Sequence, residues 1–352
     1  MARKKKPTCY SGISGQAVLE GVMMKNKEKY AVAVRKPDGE IEVEVEAYEG
    51  VWHGNKIKEI PFIRGIFNFI DSMVLGMKCL NFSASFYEEE GDETAGDKVL
   101  NAASKGKAES ILMALTSVFA IILAVGLFIV LPYFITSLFE EYIRNESLMA
   151  IIEGVIRIAI FVIYVVAISA MKDIHRLYQY HGAEHKCINC LEKGHRLSVR
   201  NVRNSSRLHK RCGTSFMFLV MFVSIILFFF IRVDNTLQKV ILRILLIPVI
   251  AGISYEIIRL AGRYDNFLIK IISAPGMLIQ RLTTKEPDDS MIEVAIASVE
   301  AVFDWKAYLK ENFGKEVIDV TDEDGSDADS DDEEEADKSV VSEGENANDA
   351  AE

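Results

Sequence analysis

The chain is short of cysteine: five in 352 residues, at positions 9, 79, 187, 190 and 212. That excludes a disulfide framework. The grouping of three in one segment points to metal or thiol chemistry in a reducing compartment. No apolar stretch follows Arg3, Lys4, Lys5 and Lys6, so the N-terminus does not read as a secretory signal peptide. Internal repeats are lacking, which excludes a solenoid. Uniform charge is lacking too. The net charge is −11, but residues 321–352 hold 15 Asp/Glu against one Lys, a net of −14, which leaves +3 for residues 1–320. Half of all residues are hydrophobic and mean hydropathy is +0.15 with 26% charged residues, so the apolar residues must lie in blocks. A fully disordered chain, a disulfide scaffold and a nucleic-acid module basic throughout are excluded together. A membrane protein with a disordered acidic terminus remains.

The blocks are there. Residues 111–139 contain no charged side chain, enough to cross a bilayer with tilt. Residues 147–171 read as a second span, with Glu153 and Arg157 at i, i+4, placed to neutralise each other on one helix face. Residues 213–231 are a third span. Residues 240–260 are a fourth, carrying Arg243, Glu256 and Arg259 near its ends and Pro248 as a kink. The segment 172–212 has ten Lys/Arg, whereas 140–146 and 232–239 have one and two. The positive-inside rule then places the N-terminus, segment 172–212 and the C-terminus in the cytoplasm, with the chain multi-pass in a cytoplasmic membrane. The expected fold is mainly α: a polytopic helical membrane protein of about four spans with a small N-terminal β-hairpin.

Five regions follow. Residues 1–60 form a cytoplasmic segment whose strands at 28–48 alternate around Pro37-Asp38-Gly39 as a hairpin. Residues 61–108 hold an interfacial or re-entrant helix at 62–86, with a fifth span as the alternative, and a polar linker at 88–108. Residues 109–263 are the membrane domain with its cytoplasmic loop 172–212. Residues 264–315 are cytoplasmic amphipathic helices, among them one over 289–313 with Ser290 and Glu293 in capping-box spacing. Residues 316–352 are the disordered acidic tail.

The loop 172–212 concentrates the metal-capable side chains. His181, Glu184 and His185 form H-x-x-E-H. On a helix the two imidazoles project from one face and reach one Zn²⁺, while Glu184 acts as general base toward a metal-bound water. His209, Cys212 or Glu256 would supply a third ligand, although Gly182 weakens the helix. The second arrangement is C-x2-C-x18-H-x2-C, from Cys187, Cys190, His209 and Cys212, which matches closed structural zinc sites. A third reading has no metal, only satisfied interfacial histidines and small core cysteines. The basic residues Arg196, Arg200, Arg203, Arg207, Lys210 and Arg211 are placed to hold anionic lipid headgroups. Nucleic acid is not expected, because no aromatic platform is interleaved with them. Gly12, Gly15 and Gly21 lack the context of a phosphate loop, and Glu20 reads as a solvated turn. Glu286, Asp288 and Asp289 read as a helix start.

Several longer motifs, in order, carry a family resemblance: GQAVLEGVMM (15–24), YHGAEHK (180–186), RCGTSF (211–216), AGISYEIIRLAGR (251–263) and PGMLIQRLTTKEPDD (275–289). From about residue 8 to about 310 the chain resembles the YqhQ-like family of bacterial membrane proteins, described as predicted metal-dependent enzymes. The family's motif falls on His181, Glu184, His185, His209 and Cys212. Lys210 stands where the family usually has proline, and Cys187 and Cys190 lie outside the pattern. The resemblance thus tilts the ligand set toward the H-x-x-E-H site. The expected function is divalent-metal chemistry, with zinc foremost: hydrolysis at the cytoplasmic membrane surface, with Glu184 as base and a peptide or lipid-derived substrate. The competing expectation is a non-enzymatic scaffold or assembly factor stapled by structural zinc.

Overall fold

A computed structural model describes residues 9–51, 60–87, 107–139, 141–230, 233, 235–263 and 267–315. The acidic tail and almost all of the linker 88–108 lie outside the described residues. The chain begins with four antiparallel strands in sequential order: β1 (Ile13–Val18), β2 (Gly21–Asn26), β3 (Lys29–Arg35) and β4 (Ile41–Ala47). The expected hairpin is present, with Arg35 opposite Ile41 and Lys29 opposite Ala47. It is half of a larger sheet. GQAVLEGVMM supplies β1 and β2, joined at Leu19-Glu20, where Glu20 takes a positive φ of 48°. β3 is buried on both faces because layers pack on either side. Val18, Met23, Tyr30, Val32 and Val34 meet Leu75 and Cys79 of α1 (Ile63–Ala84). The opposite face enters the main core described below.

Among the described residues, four helical stretches are long and apolar enough to cross a membrane, at 118–137, 147–169, 213–230 and 240–261. The first runs through α2 (Lys107–Val125), a wide π-turn (Gly126–Val130) and α3 (Leu131–Ser137). Pro132, which lacks an N–H, follows directly on that irregular turn. The second is α4 (Glu146–Ser169), whose first amides at Ser147 and Leu148 donate to the Asn145 side chain. After it comes α5 (Lys172–Glu192), then a short α6 (Val199–Arg203) and the third apolar stretch, α7 (Gly213–Phe230). The fourth is broken into α8 (Thr236–Leu245) and α9 (Ile247–Arg263), with Pro248 at the restart. α10 (Phe267–Thr283) follows, with Pro275 inside it.

Two expectations are corrected. Segment 172–212 is not a loop: its first half is the 21-residue helix α5. The helix survives Gly182 because the Lys285 backbone lies against it, and a β-carbon there would collide with the Lys285 carbonyl oxygen. Tyr180, Ala183, Cys187, Ile188 and Leu191 then bury a stripe against the sheet and against α11 (Asp289–Val302) and α12 (Trp305–Phe313). Likewise 289–313 is two helices, capped by Asp288 and Asp304, whose side chains accept from the Met291 and Ala307 amides, each at 2.9 Å. Ser290 is not the cap; its hydroxyl donates to Asp288.

Candidate metal centre

Helix α5 supplies two side chains of a group that could hold a metal ion. His181 and His185 stand one turn apart with ring centroids separated by 4.4 Å, as i, i+4 spacing dictates. Cys212, the residue before α7, closes the group: one ligand atom from each of His181, His185 and Cys212 lies within 4.8 Å of the others. The His181 Nε2 to Cys212 Sγ distance is 3.1 Å. Each ring is oriented from behind. His181 Nδ1 donates to the Thr283 carbonyl at 3.0 Å, and His185 Nδ1 donates to the Arg207 carbonyl at 2.6 Å. With Nδ1 held in this way, each ring turns Nε2 toward the group, the orientation that metal-ligating histidines adopt.

The electrostatics favour a ligating thiolate. Burial raises the Cys212 thiol, but His181 and His185 outweigh it and hold Cys212 well below the usual cysteine range. Burial lowers His181, but the Cys212 charge beside it outweighs burial and holds the imidazole up at about 9. The Thr214 amide also donates to Cys212 Sγ, at 3.4 Å.

Glu184 lies beside the group, buried, with Oε2 3.9 Å from His181 Nε2. Burial pushes its carboxyl above the usual range, against the pull of His185 and His181. Strand β1 covers it: a β-carbon on Gly15 would stand 2.5 Å from Glu184 Cγ, so only glycine fits. Glu20, in the β1–β2 turn, is not a solvated residue. It accepts from Arg176 and from the Tyr180 hydroxyl, pinning the sheet to α5.

His209 is adjacent but turned away. Its ring centroid is 5.6 Å from that of His185, while Nε2 faces Glu192 Oε2 at 3.7 Å. Its amide donates to Gln280 Oε1 at 2.8 Å, and Gln280 Nε2 donates back to the His209 carbonyl and to Ser215 Oγ, both at 2.7 Å. Glu192 also accepts from Arg211 and from the Ser11 amide and hydroxyl. Burial raises Glu192, yet these partners, His209 foremost, bring it down to about 2. Cys187 and Cys190 face the core between α5 and α11 instead of the group. Burial pushes the Cys187 thiol well up, and Cys190 donates to the Arg196 carbonyl at 3.4 Å. Glu256 is taken by Arg64 and the Phe62 amide. Several basic residues of 172–212 are engaged within the chain: Arg203 with Asp289, Arg211 with Glu192, and Lys186 and Arg207 with Glu286.

Residue types alone did not single out Gly15, Gln280 or the carbonyls of Thr283 and Arg207. The signal for the first three lay in the motifs at 15–24 and 275–289, which the fold wraps around α5.

The family model described as "Protein of unknown function (DUF1385)" matches residues 60–305. "Uncharacterized protein YqhQ" of Bacillus subtilis (strain 168) is 34% identical over 313 residues, covering 89% of this chain and 98% of that protein. No solved structure matches the chain. Those matches embrace α5, Cys212 and the segment at 275–289 alike, and the chain belongs to the DUF1385 family.

Proposed function

We propose that this protein is a metal-dependent, hydrolase-like enzyme at the membrane surface, with His181, His185 and Cys212 as protein ligands and Glu184 as base. The observation that carries the reading is the pair of Nδ1–carbonyl bonds, which turn Nε2 of His181 and of His185 toward a Cys212 thiol of depressed pKa. The donor set, two borderline nitrogens and one soft sulfur, suits Zn²⁺ or a similar divalent ion. Bound there, such an ion supplies Lewis acidity toward an oxygen of water or substrate. His181, His185 and Cys212 would hold the ion, with Glu184 beside them. Glu184 takes a proton from the attacking water, and the raised pKa given by its burial suits it to pass that proton on. A peptide or lipid-derived substrate fits a site beside the ends of α4 and α7. The charge of segment 172–212 supports a cytoplasmic placement of this end and contact with anionic headgroups.

A second reading draws on burial. His185 is 1% exposed and Cys212 5%, as in a closed structural site that ties α5 to α7 in a scaffold or assembly factor. Elemental analysis of the purified chain tests the first step. About one metal per wild-type chain, lost in His185→Ala, is expected; no metal in the wild type ends the reading. Glu184→Gln then separates the two. Retained metal with failure to complement a deletion strain supports catalysis. Full complementation, with Cys212→Ser opening 172–212 to protease, supports the scaffold.

A further inference from the structure

A second buried polar centre lies at the other end of the apolar helices. Glu153 is the seventh residue of the stretch Ser147–Ser169, Arg243 the fourth of Val240–Ala261, and Ser224 the seventh from the end of Gly213–Phe230. At 1.5 Å per residue these depths are roughly 5–9 Å inside one face of the bundle. His181 and Cys212 adjoin the opposite ends of the same helices. The expected Glu153–Arg157 pair forms at 2.7 Å through Oε1. Arg243, from α8, also takes Glu153, through Oε2 at 2.7 Å. Arg157 Nη1 donates to Ser224 Oγ at 2.9 Å.

The charges do not balance. Two guanidiniums share one carboxylate, an excess of one positive charge, with Arg157 4% and Arg243 6% exposed. Among the described residues no second carboxylate lies within 4.0 Å of either. Both guanidiniums rest on the Phe228 ring, at 5.1 and 5.0 Å, and Arg243 also on Tyr133 at 5.1 Å. Aromatic faces stabilise a cation without neutralising it. Among the described residues, Arg157 Nε and Arg243 Nη1 are buried N–H donors with no partner. Snorkelling to water is closed to both side chains, because each is held by Glu153. An uncompensated buried cation with unmade hydrogen bonds is strongly disfavoured in an apolar span.

We propose that this cluster is an anion site for one phosphate group of single negative charge, donated by the headgroup of an anionic phospholipid in the adjacent leaflet. The charge excess matches one phosphodiester. Guanidinium N–H forks suit phosphate oxygens, and the depth is within reach of a headgroup drawn in by local thinning. Free inorganic phosphate offers the same chemistry.

The full chain, purified in detergent, provides the test. Its thermal midpoint is measured with added phosphatidylglycerol, with diacylglycerol of the same chains, and with inorganic phosphate. Ser224→Asp is the diagnostic variant, since it gives Arg157 an internal carboxylate and balances the cluster. Phosphatidylglycerol is expected to raise the wild-type midpoint by several degrees, diacylglycerol to leave it unchanged, and Ser224→Asp to be insensitive to both. An equal rise with inorganic phosphate supports the anion site and assigns the free ion as its source. Should Ser224→Asp fail to fold, Arg243→Gln removes the excess charge and is expected to show the same insensitivity. The proposal is overturned if neither phosphate source shifts the wild type, or if the balanced variants respond as strongly as the wild type.

Discussion

The two ends of the helical bundle each carry a buried pair at i, i+4. On α5 the pair is His181 and His185; on α4 it is Glu153 and Arg157. Spacing puts both pairs on a single helix face, but their surroundings differ. Around the histidines the chain satisfies the outward-facing nitrogens with the carbonyls of Thr283 and Arg207, so their remaining lone pairs converge on Cys212. Around Glu153 the donors outnumber the acceptors, and Arg157 Nε and Arg243 Nη1 stay unmatched. The first centre offers electron pairs with hydrogen bonds already made behind them, which suits a cation. The second offers N–H donors and positive charge, which suits an anion. Helix periodicity fixes which side chains meet; the elements packed against the helix fix what they can bind.

The sharpest way to break the contrast is Glu153→Gln. It leaves two guanidiniums without a carboxylate in an apolar span, and an expected loss of about 3–5 kcal/mol in unfolding free energy is to be read from denaturant or thermal unfolding of the solubilised chain. At the histidine end, Gly182→Ala drives a methyl into the Lys285 carbonyl, an overpacking cost of about 1–3 kcal/mol. Gly213→Ala is the control, since a β-carbon there has nothing within 4 Å, and its thermal midpoint is expected to stay close to wild type.

Glu192 tests the support around the site by pH. Its carboxyl is held down at about 2, against an ordinary value of 4.5. A depressed carboxylate stabilises the fold fully above its unfolded value and loses that contribution as pH falls through its folded one. Glu192→Gln is therefore expected to cost up to about 3 kcal/mol at pH 6 and progressively less between pH 4.5 and 2. Equal losses at pH 6 and pH 2 would contradict the assignment. A smaller effect is expected at the cysteines outside the group: Cys187→Ser should leave metal affinity at wild type, whereas Cys212→Ser should lower it at least tenfold, both measured by competition with a chelator.

Much of this was legible from residues alone. The four apolar stretches announce themselves because lipid demands uninterrupted apolar helix, and the break at Pro248 follows from its missing N–H. H-x-x-E-H supplies His181, His185 and the adjacent Glu184 from helix spacing. Other parts were hidden for physical reasons. α5 was obscured by its polar composition and by Gly182, whose role depends on a backbone more than 100 residues away. Likewise β1 and β2 were hidden by glycines that read as loop, although Gly15 is there to let a strand lie on Glu184. His209 and Cys212 are equally close in sequence to the motif's partner segment. What sets His209 apart from the His181–His185–Cys212 group is its surroundings: Gln280 holds its backbone and its ring faces Glu192. Arg243 joins Glu153 across 90 residues, a pairing that no local pattern encodes.

X-ray absorption at the zinc edge, on the full chain loaded with one zinc and freed of excess metal, reads the ligand set itself. The His181–His185–Cys212 centre predicts two imidazole nitrogens at about 2.0–2.1 Å and one sulfur at about 2.3 Å, with the sulfur lost in Cys212→Ser and retained in Cys187→Ser. A shell of two or more sulfurs, or a single sulfur that survives Cys212→Ser, would contradict it.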